Sequence, residues 1–556
     1  MENRKFLVGE ETEFGYLLLE HPLYRDEGLY KESLTDLIEL SRKSSFLRPK
    51  SEKWVRPEDN QFKPDWLETG TPADDLYKRE VGTRTPNAGR LYIDQFHPEY
   101  STPEVTNPRD LVRYEKAGEL IVVNLVGELE QKNKIKIFIH KNNSDGKGNS
   151  YGCHINHLID RKSFNILTGK DKSQGTSLPN IWMTYLVTSL PYIGAGKVGA
   201  EYEAPPCDYQ ISQRADFFKC KFNIDTFRDR ALINLRDEPH ADEEKYGRFH
   251  VIFNDSNMSE WQIYLKVGSQ MLFVTLLQDA DLQLLDRLPV LKHPLACLPD
   301  ISRDLSLQKK FLCTDGVERS ALKIQEIYLE EMERYYYAHF YATWVDQFLK
   351  DFREVIEALK ADPDTLKDRL DWIAKKNIIE DYKKSRGGSI DLNKAKEIDL
   401  SYHDLRAGIY NHYVKRGEIK RLLSDEEILS AVLNPPTDTR AYFRGFLAKN
   451  YPHFLKDIDW NLIHVQLRVG NETYSPCFRN LHPWDLNQDL VRAYLGENDS
   501  HEIFSSKLLA LFLSKGEVVS GLGSSIFFSE RKLLKSRAFD INSFRFRAEV
   551  DEEGED

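Results

Sequence analysis

The stretch Arg230–Glu260 (RALINLRDEPHADEEKYGRFHVIFNDSNMSE) sets the tightest limit on what this chain can fold into. It crowds Arg236, Asp237, Glu238, His240, Asp242, Arg248, His250, Asp255 and Glu260 between short apolar runs. A core cannot take in so many charges without partners, and a solvated face seldom interleaves them with apolar runs in this way. The pattern predicts strands that turn a polar wall toward an active site.

Two other segments fit the same wall. Residues 5–20 are predicted as one strand, on which Gly9, Glu11, Glu13 and Gly15 alternate with Glu10, Thr12 and Phe14. Positions i and i+2 share a face of a strand, so Glu11 and Glu13 project together. Neighbouring carboxylates repel unless a cation lies between them, and oxygen-only ligation suits Mg2+. Two solvated glutamates on an exposed sheet face would show the same alternation. In NAGRLYIDQFHPEYSTPE (87–104), Tyr92 and Asp94 face away from Leu91 and Ile93. Asp94 is a candidate nucleophile or base, since a carboxylate beside a metal-bound phosphate can attack an acyl carbon or orient water.

The segment KNNSDGKGNSYGCH (141–154) is rich in Asn, Ser and Gly. It predicts a tight loop whose backbone N–H groups could cradle an anion. The phosphate-loop pattern G-x-x-x-x-G-K-[ST] is absent. Cys153, His154 and His157 could suggest a zinc trio, but no second cysteine pair supports it. GAGKV (194–198) lacks the full dinucleotide fingerprint. Arg236 could clamp a carboxylate or phosphate, and His240 could ligate a metal or contact a phosphate.

At 556 residues the chain exceeds one ordinary core, and two domains are expected. The proposed division is a catalytic domain over 1–433 and a small C-terminal domain over 434–556, with the boundary at Asn434–Pro435–Pro436. Residues 44–86 are polar and Pro-rich and predict an insert loop. Strands are predicted at 90–94, 134–140, 249–254 and 262–267, a helix at 31–43, an amphipathic helix at 117–131 and one or two helices over 320–361. Gly387–Gly388 marks a turn, and AEVDEEGED is expected to be a disordered acidic tail. The net charge of −12 argues against a general nucleic-acid surface. No apolar run approaches the roughly 20 residues of a membrane span. The six cysteines include no C-x-x-C pair, which predicts reduced thiols and a cytoplasmic protein. The oligomeric state expected is a monomer.

These segments together resemble the Dop/PafA family of Pup deamidase/depupylases and Pup ligases, relatives of glutamine synthetase and glutamate–cysteine ligase. GEETEFG (9–15), NAGRLYID with HPEYSTPEVTNPRD (87–110), KNNSDGKGNSYGCH (141–154), GAGKVG (194–199), SQRADFF (212–218), INLRDEPHADEEKY (233–246), NDSNMSE with YLKVG (254–268), LDWIAKK (370–376), LSYHDLRAGIYN (400–411) and PPTDTRAYFRG (435–445) carry the likeness. It implies an α+β, glutamine synthetase-like fold: a curved, mostly antiparallel sheet flanked by helices, with a smaller C-terminal domain.

By resemblance, Asp94 is the catalytic aspartate. Glu11, Tyr92, Glu99, His154 and His240 are implied metal ligands. Glu13, Asn142, Asn143, Ser150, Arg236 and Trp460 are implied nucleotide contacts, with the tag's terminal carboxylate an alternative for Arg236. Arg214, Arg230 and Arg248 are implied contacts to substrate. The implied cofactors are ATP or ADP and Mg2+, and the implied partners are Pup, a small disordered modifier, and the proteins that carry it. From Glu13 to Asn87 is 74 positions, long enough for a loop that the depupylase branch carries and the ligase lacks. PEVTNPRD, SQRADFF and YLKVG also look like the depupylase, whereas GNSYGCH and SNMSE look more like the ligase. The expected activity is therefore hydrolysis of the isopeptide, or of the side-chain amide when the tag ends in Gln. A ligase, an inactive tag-binding relative and a small-molecule glutamate–amine ligase are the alternatives. Two positions depart from the family: Ile155 in HINHL replaces a carboxylate, and Ser189 stands where an arginine is usual. A missing acid and a missing base could compensate each other or alter nucleotide handling.

Overall fold

The computed structural model describes residues 5–19, 27–47, 82–94, 96–172, 177–201, 203–225, 229–339, 342–469, 472–474, 476–495, 501–514, 518–520, 537–540 and 545–548. The first strands are β1 (Val8–Glu13), β2 (Gly15–Leu19), β3 (Gly82–Arg84), β4 (Arg90–Asp94), β5 (His97–Ser101), β6 (Lys136–His140) and β7 (Cys153–Asp160). They are followed by β8 (Lys197–Val198), β9 (Tyr209–Gln210), β10 (Cys220–Asn223), β11 (Ala231–Asn234) and β12 (Tyr246–Val251). Eight of them form one sheet in the order β10-β11-β12-β7-β1-β5-β4-β3. The pairs are antiparallel except β10 with β11. The molecule is α+β with a mostly antiparallel sheet, the class expected.

Residues 5–20 make two strands rather than one. After Glu13 the chain leaves the sheet, and β2 pairs with β6 in a separate ribbon in which Gly15 faces His140. A Cβ on Gly15 would lie 2.0 Å from His140 Nε2, so only glycine lets the strand bend across that imidazole. The segment at 262–267 is not a strand but part of the helix Glu260–Gln278, capped by Ser259, whose Oγ accepts the Gln262 N–H. That helix is buried on nearly every side, so it lacks the apolar stripe that reveals a surface helix. The helix expected at 117–131 runs from Pro108 to Asn133, because Asn107 caps it and Pro108 starts it. Two helices, Ala321–Ala338 and Thr343–Ala361, occupy 320–361. Gly387 and Gly388 take positive φ in the turn after helix Asp371–Ser385. Most of the expected insert and the residues after Ala548 lie outside the described residues, and the insert's end forms β3.

The sheet has two unlike faces. Helices Pro108–Asn133 and Glu260–Gln278 pack behind β1 and β7. On this back face Lys266 Nζ lies 2.9 Å from Glu10 Oε1 and 3.1 Å from Cys153 Sγ, with lysine and glutamate side chains fully buried. Beside them Lys141, also fully buried, pairs with Glu115 and Glu119. Charges so deep persist only because each has a partner.

A second apolar cluster runs from Phe443 to Phe512 and includes a close stack of Tyr451 on Phe504, centroids 3.6 Å apart. It is tied to the sheet through Arg84 of β3, which donates to Ile458 O at 3.1 Å and pairs with Asp459, and through the carboxylate of Glu104. Glu104 accepts from Arg440 Nε at 2.9 Å and Arg444 Nη1 at 2.8 Å, with a second bond from Arg444. Burial pushes the Glu104 carboxyl up, but the two guanidiniums outweigh it and hold it well below the usual range. Glu104→Ala leaves the buried guanidiniums of Arg440 and Arg444 without the carboxylate they pair with. It is expected to cost about 3–5 kcal/mol, read as a lower urea midpoint at neutral pH. The native carboxyl has the depressed pKa, so its contribution is present above the ordinary carboxylate range and fades as pH falls below it.

Candidate active site

Antiparallel register brings the front-face side chains into rows. Glu11 pairs with His154 on one side and Ser101 on the other, and Ser101 in turn pairs with Arg90. In the next row Glu13 pairs with Glu99, and Glu99 with Tyr92. Asp94 pairs with His97 at the end of β4, and His250 pairs with Asn156 on the opposite flank. These rows floor a cavity of about 1150 Å3. Arg236, Glu238, Pro239 and His240 of the loop after β11, with Arg440, Asp459 and Trp460, add to its walls.

Two groups of potential cation ligands stand on this floor. Glu13, Asp94 and Glu99 bring carboxylate oxygens within 4.8 Å of one another, and Glu11, His154 and His250 do the same with mixed donors. Burial is the largest push on Glu99, and Glu13, Glu11 and Asp94 add to it, so its pKa stands well above the usual value. The Tyr92 hydroxyl donates to Glu99. Glu11 behaves oppositely. Burial raises its pKa, but Arg248 at 2.8 Å and the two imidazoles overcome this and hold it well below the usual range. His250 is pushed down to about 3, by burial first and then by Arg248, so it is neutral at pH 7. Gly152 makes the close approach possible. A Cβ there would lie 2.1 Å from His154 Nε2 and 2.9 Å from Glu13 Oε1, while its N–H donates to Glu13 at 3.0 Å. Three carboxylates with no cation among them suit Mg2+ chemically, and the crowding on Glu99 is what a bound cation would relieve.

Of the residues singled out in the sequence, Glu11, Glu13, Tyr92, Asp94, Glu99, Ser150, His154, Arg230, Arg236, His240, Arg248 and Trp460 line this one cavity. Asn142, Asn143 and Arg214 do not. Asn143 is fully buried, donating to Tyr151 O at 3.0 Å and Ser256 Oγ at 2.9 Å. Asn142 bonds Ser144 O at 2.7 Å and accepts from Tyr151. Arg214 is buried beneath the floor, donating to Ile252 O at 2.6 Å, Asn254 O at 3.0 Å and Ser150 Oγ at 3.1 Å. These three shape the loop under the cavity rather than facing into it. His240 lies in the wall with positive φ but belongs to neither cation group. Arg248 is engaged by Glu11 and, at 2.7 Å, by Asn156, which directs it to the floor rather than outward.

The fold differs from other expectations. The 144–149 loop does not offer an open anion cradle, because its N–H groups bond internally. Gly146 N donates to Ser144 Oγ, and Lys147 N and Asn149 N donate to Asp145. Cys153 and His157 point to the back face, away from His154, so they form no metal trio. Within the charge-dense stretch, Asp255 is a buried acceptor for Ala195 N and Gln213 N, and Glu260 accepts from Arg421 and the 422–423 backbone. Residues 235–245 form a connection, so only part of the wall is strand. Ile155 is buried on the back face opposite Glu10, and Ser189 bonds Leu186 O at 2.7 Å. Neither departure lines the cavity. The sequence reading assigned no role to Asn156, Arg90 or His97 and placed His250 in the polar wall without a specific role, whereas all four line the cavity. Period-two alternation from Arg248 already puts His250 on its face.

A family model described as Pup-ligase protein matches residues 6–464. The chain is 37% identical over 390 residues to the depupylase of Acidothermus cellulolyticus, covering 68% of this chain and 74% of the relative. It is 36% identical over 392 residues to the Pup–protein ligase of Acidimicrobium ferrooxidans, covering 68% and 82%. Among solved structures, the Pup ligase PafA in complex with ADP superposes with a TM-score of 0.64 at 29% identity, over 80% of this chain and 95% of that one.

Glu99→Gln removes one of three crowded like charges. In chelator the variant is expected to melt above the unchanged protein. It is also expected to lose most of the stabilisation that Mg2+ gives, which for a ligand at a hundred times its Kd is about 2.7 kcal/mol. Differential scanning calorimetry with and without Mg2+ reads both effects.

Proposed function

Because this chain belongs to the Pup-ligase protein family, we propose that it is a depupylase and deamidase with a nucleotide and Mg2+ as cofactors. It hydrolyses the isopeptide between the C-terminal glutamate of a Pup-like tag and a substrate lysine, or the side-chain amide of a tag ending in glutamine. The observation that carries the chemistry is the Glu13–Asp94–Glu99 carboxylate group on the floor of a single large cavity. The observation that favours hydrolysis over ligation is the 74-position span from Glu13 to Asn87, matching the longer loop of the depupylase branch. Relatives bearing either name are about equally similar, so the ligase is the competing outcome.

When bound, Mg2+ and the nucleotide phosphates supply charge neutralisation and polarise the acyl oxygen. Glu13, Asp94 and Glu99 offer the oxygen ligands for the cation, and the Tyr92 hydroxyl orients Glu99. Asp94, at the free end of β4, is assigned as nucleophile toward the acyl carbon or as the base that orients water. Hydrolysis leaves the hydroxyl on the acyl carbon and sends the proton out with the amine. Arg230, anchored on Ser150 O at 2.8 Å, and Arg236 on the exposed connection are assigned to the tag's terminal carboxylate or a phosphate. Trp460, with Arg84 stacked 4.1 Å from its ring, is assigned to the nucleotide.

Incubation with ATP, Mg2+ and a purified conjugate is expected to release free tag and unmodified protein. Accumulation of new conjugate from free tag would establish the ligase instead. Asp94→Asn is expected to lower turnover by about 10²–10⁴-fold while nucleotide affinity, followed by fluorescence titration, stays near that of the unchanged protein. Retained turnover would remove Asp94 from the mechanism.

A further inference from the structure

We propose that Arg84 is a positioning residue for the nucleotide site. Its single guanidinium holds Ile458, Asp459 and Trp460, three consecutive residues of which the last two line the cavity. Arg84 Nε donates to Ile458 O at 3.1 Å, Nη2 pairs with the Asp459 carboxylate, and the guanidinium carbon lies 4.1 Å from the centroid of the Trp460 ring. Asp459 Oδ1 also accepts the Trp460 N–H at 2.8 Å, so the carboxylate joins the guanidinium to the backbone that carries the indole. Arg84 itself is 8% exposed and does not line the cavity. It can reach a ligand only through the residues it holds.

β3 is an edge strand of three residues that pairs with β4, Gly82 opposite Tyr92 and Arg84 opposite Arg90. Cross-strand partners share a face of the sheet. Arg84 therefore stands at the rim of the face on which Arg90 and Tyr92 line the cavity. β4 also carries Asp94, so the β3–β4 pair ties the wall at Trp460 to the strand of the catalytic candidate. Arg444 flanks the same indole, its guanidinium carbon 5.3 Å from the ring centroid and its Nη1 2.9 Å from Trp460 O, but it also pairs with Glu104 in the buried tie to the C-terminal cluster. Arg84 is the more separable of the two. The Asp459 side chain is 42% exposed, so removing the guanidinium leaves a carboxylate that water can solvate. A flat guanidinium against an indole is a cation–π contact that orients the ring as well as attracting it. A ring already held at a fixed angle loses less freedom when a planar base packs on it, which is a gain in affinity.

This role for Arg84 rests on the nucleotide role proposed for Trp460, and it is read as ADP affinity rather than as turnover. The full chain and its variants are titrated with ADP in the presence of Mg2+ by isothermal calorimetry. Arg84→Met keeps an apolar stem without the charged fork and is expected to weaken ADP binding by about tenfold, the scale of one well-placed cation–π contact. Arg84→Lys, the milder change, keeps the charge without the plane and is expected to weaken ADP in the same direction. In a Trp460→Ala background, adding Arg84→Met is expected to cost less than about twofold, because the group through which it acts is gone. A guanidinium that merely held the fold together would cost the same in both backgrounds. Unchanged ADP affinity in Arg84→Met, or an equal loss with and without the indole, would overturn the assignment. Full ADP affinity in Trp460→Ala would overturn it as well and remove Trp460 from the nucleotide site. The expected coupling in a protein that releases no tag would count against the proposed hydrolysis and leave the role of Arg84 standing.

Discussion

Four carboxylates, Glu11, Glu13, Asp94 and Glu99, are held on one face of one sheet, and everything about the cavity follows from that forced proximity. Left to themselves such groups separate or take up protons. Antiparallel pairing prevents separation: Glu13 is fixed opposite Glu99, and Glu11 opposite His154. The burden of like charge is unevenly shared. Glu11 is relieved by Arg248 and two imidazoles, whereas Glu99 faces the carboxylates of Glu13, Glu11 and Asp94 and accepts from the Tyr92 hydroxyl. The floor is thus divided into a nearly neutral nitrogen-bearing end and a strongly acidic oxygen-only end.

A face so charged must be backed by rigid packing, and the back of the same strands provides it. Glu10 and Cys153, each adjacent in sequence to a cavity residue, meet Lys266 from the buried helix behind. Lys141 does the same with Glu115 and Glu119 under the loop that carries Ser150. These pairs contribute position more than stability, because the desolvation of buried ions offsets much of their attraction. Glu104 extends the scheme outward by joining the sheet to the C-terminal cluster through Arg440 and Arg444.

Which parts of this were visible in one dimension follows from the range of the forces involved. The alternation of Glu11 and Glu13, or of Tyr92 and Asp94, is a local consequence of the strand period and could be read directly. The helix Glu260–Gln278 could not, because burial on nearly all sides erased its stripe and left a run that mimics a strand. Arg214 and Arg248 look equivalent as sequence letters. One donates to backbone carbonyls beneath the floor and the other grips a carboxylate on it. The loop at 144–149 has the composition of an anion cradle, but Asp145 occupies its N–H groups.

The amino-acid sequence determined by itself that a polar wall on strands must exist, which strand faces carry its acids, and which family of proteins this chain resembles. Only the tertiary structure decided that His250 completes a group with Glu11 and His154 while His240 stands apart, and that Asp255 and Glu260 serve the core. Strand period is a property of neighbouring residues. Cross-strand register and burial depend on segments far apart in the chain, such as Glu13 and Glu99 at 86 positions or Glu11 and His154 at 143, and those pairings are settled only when the whole chain packs.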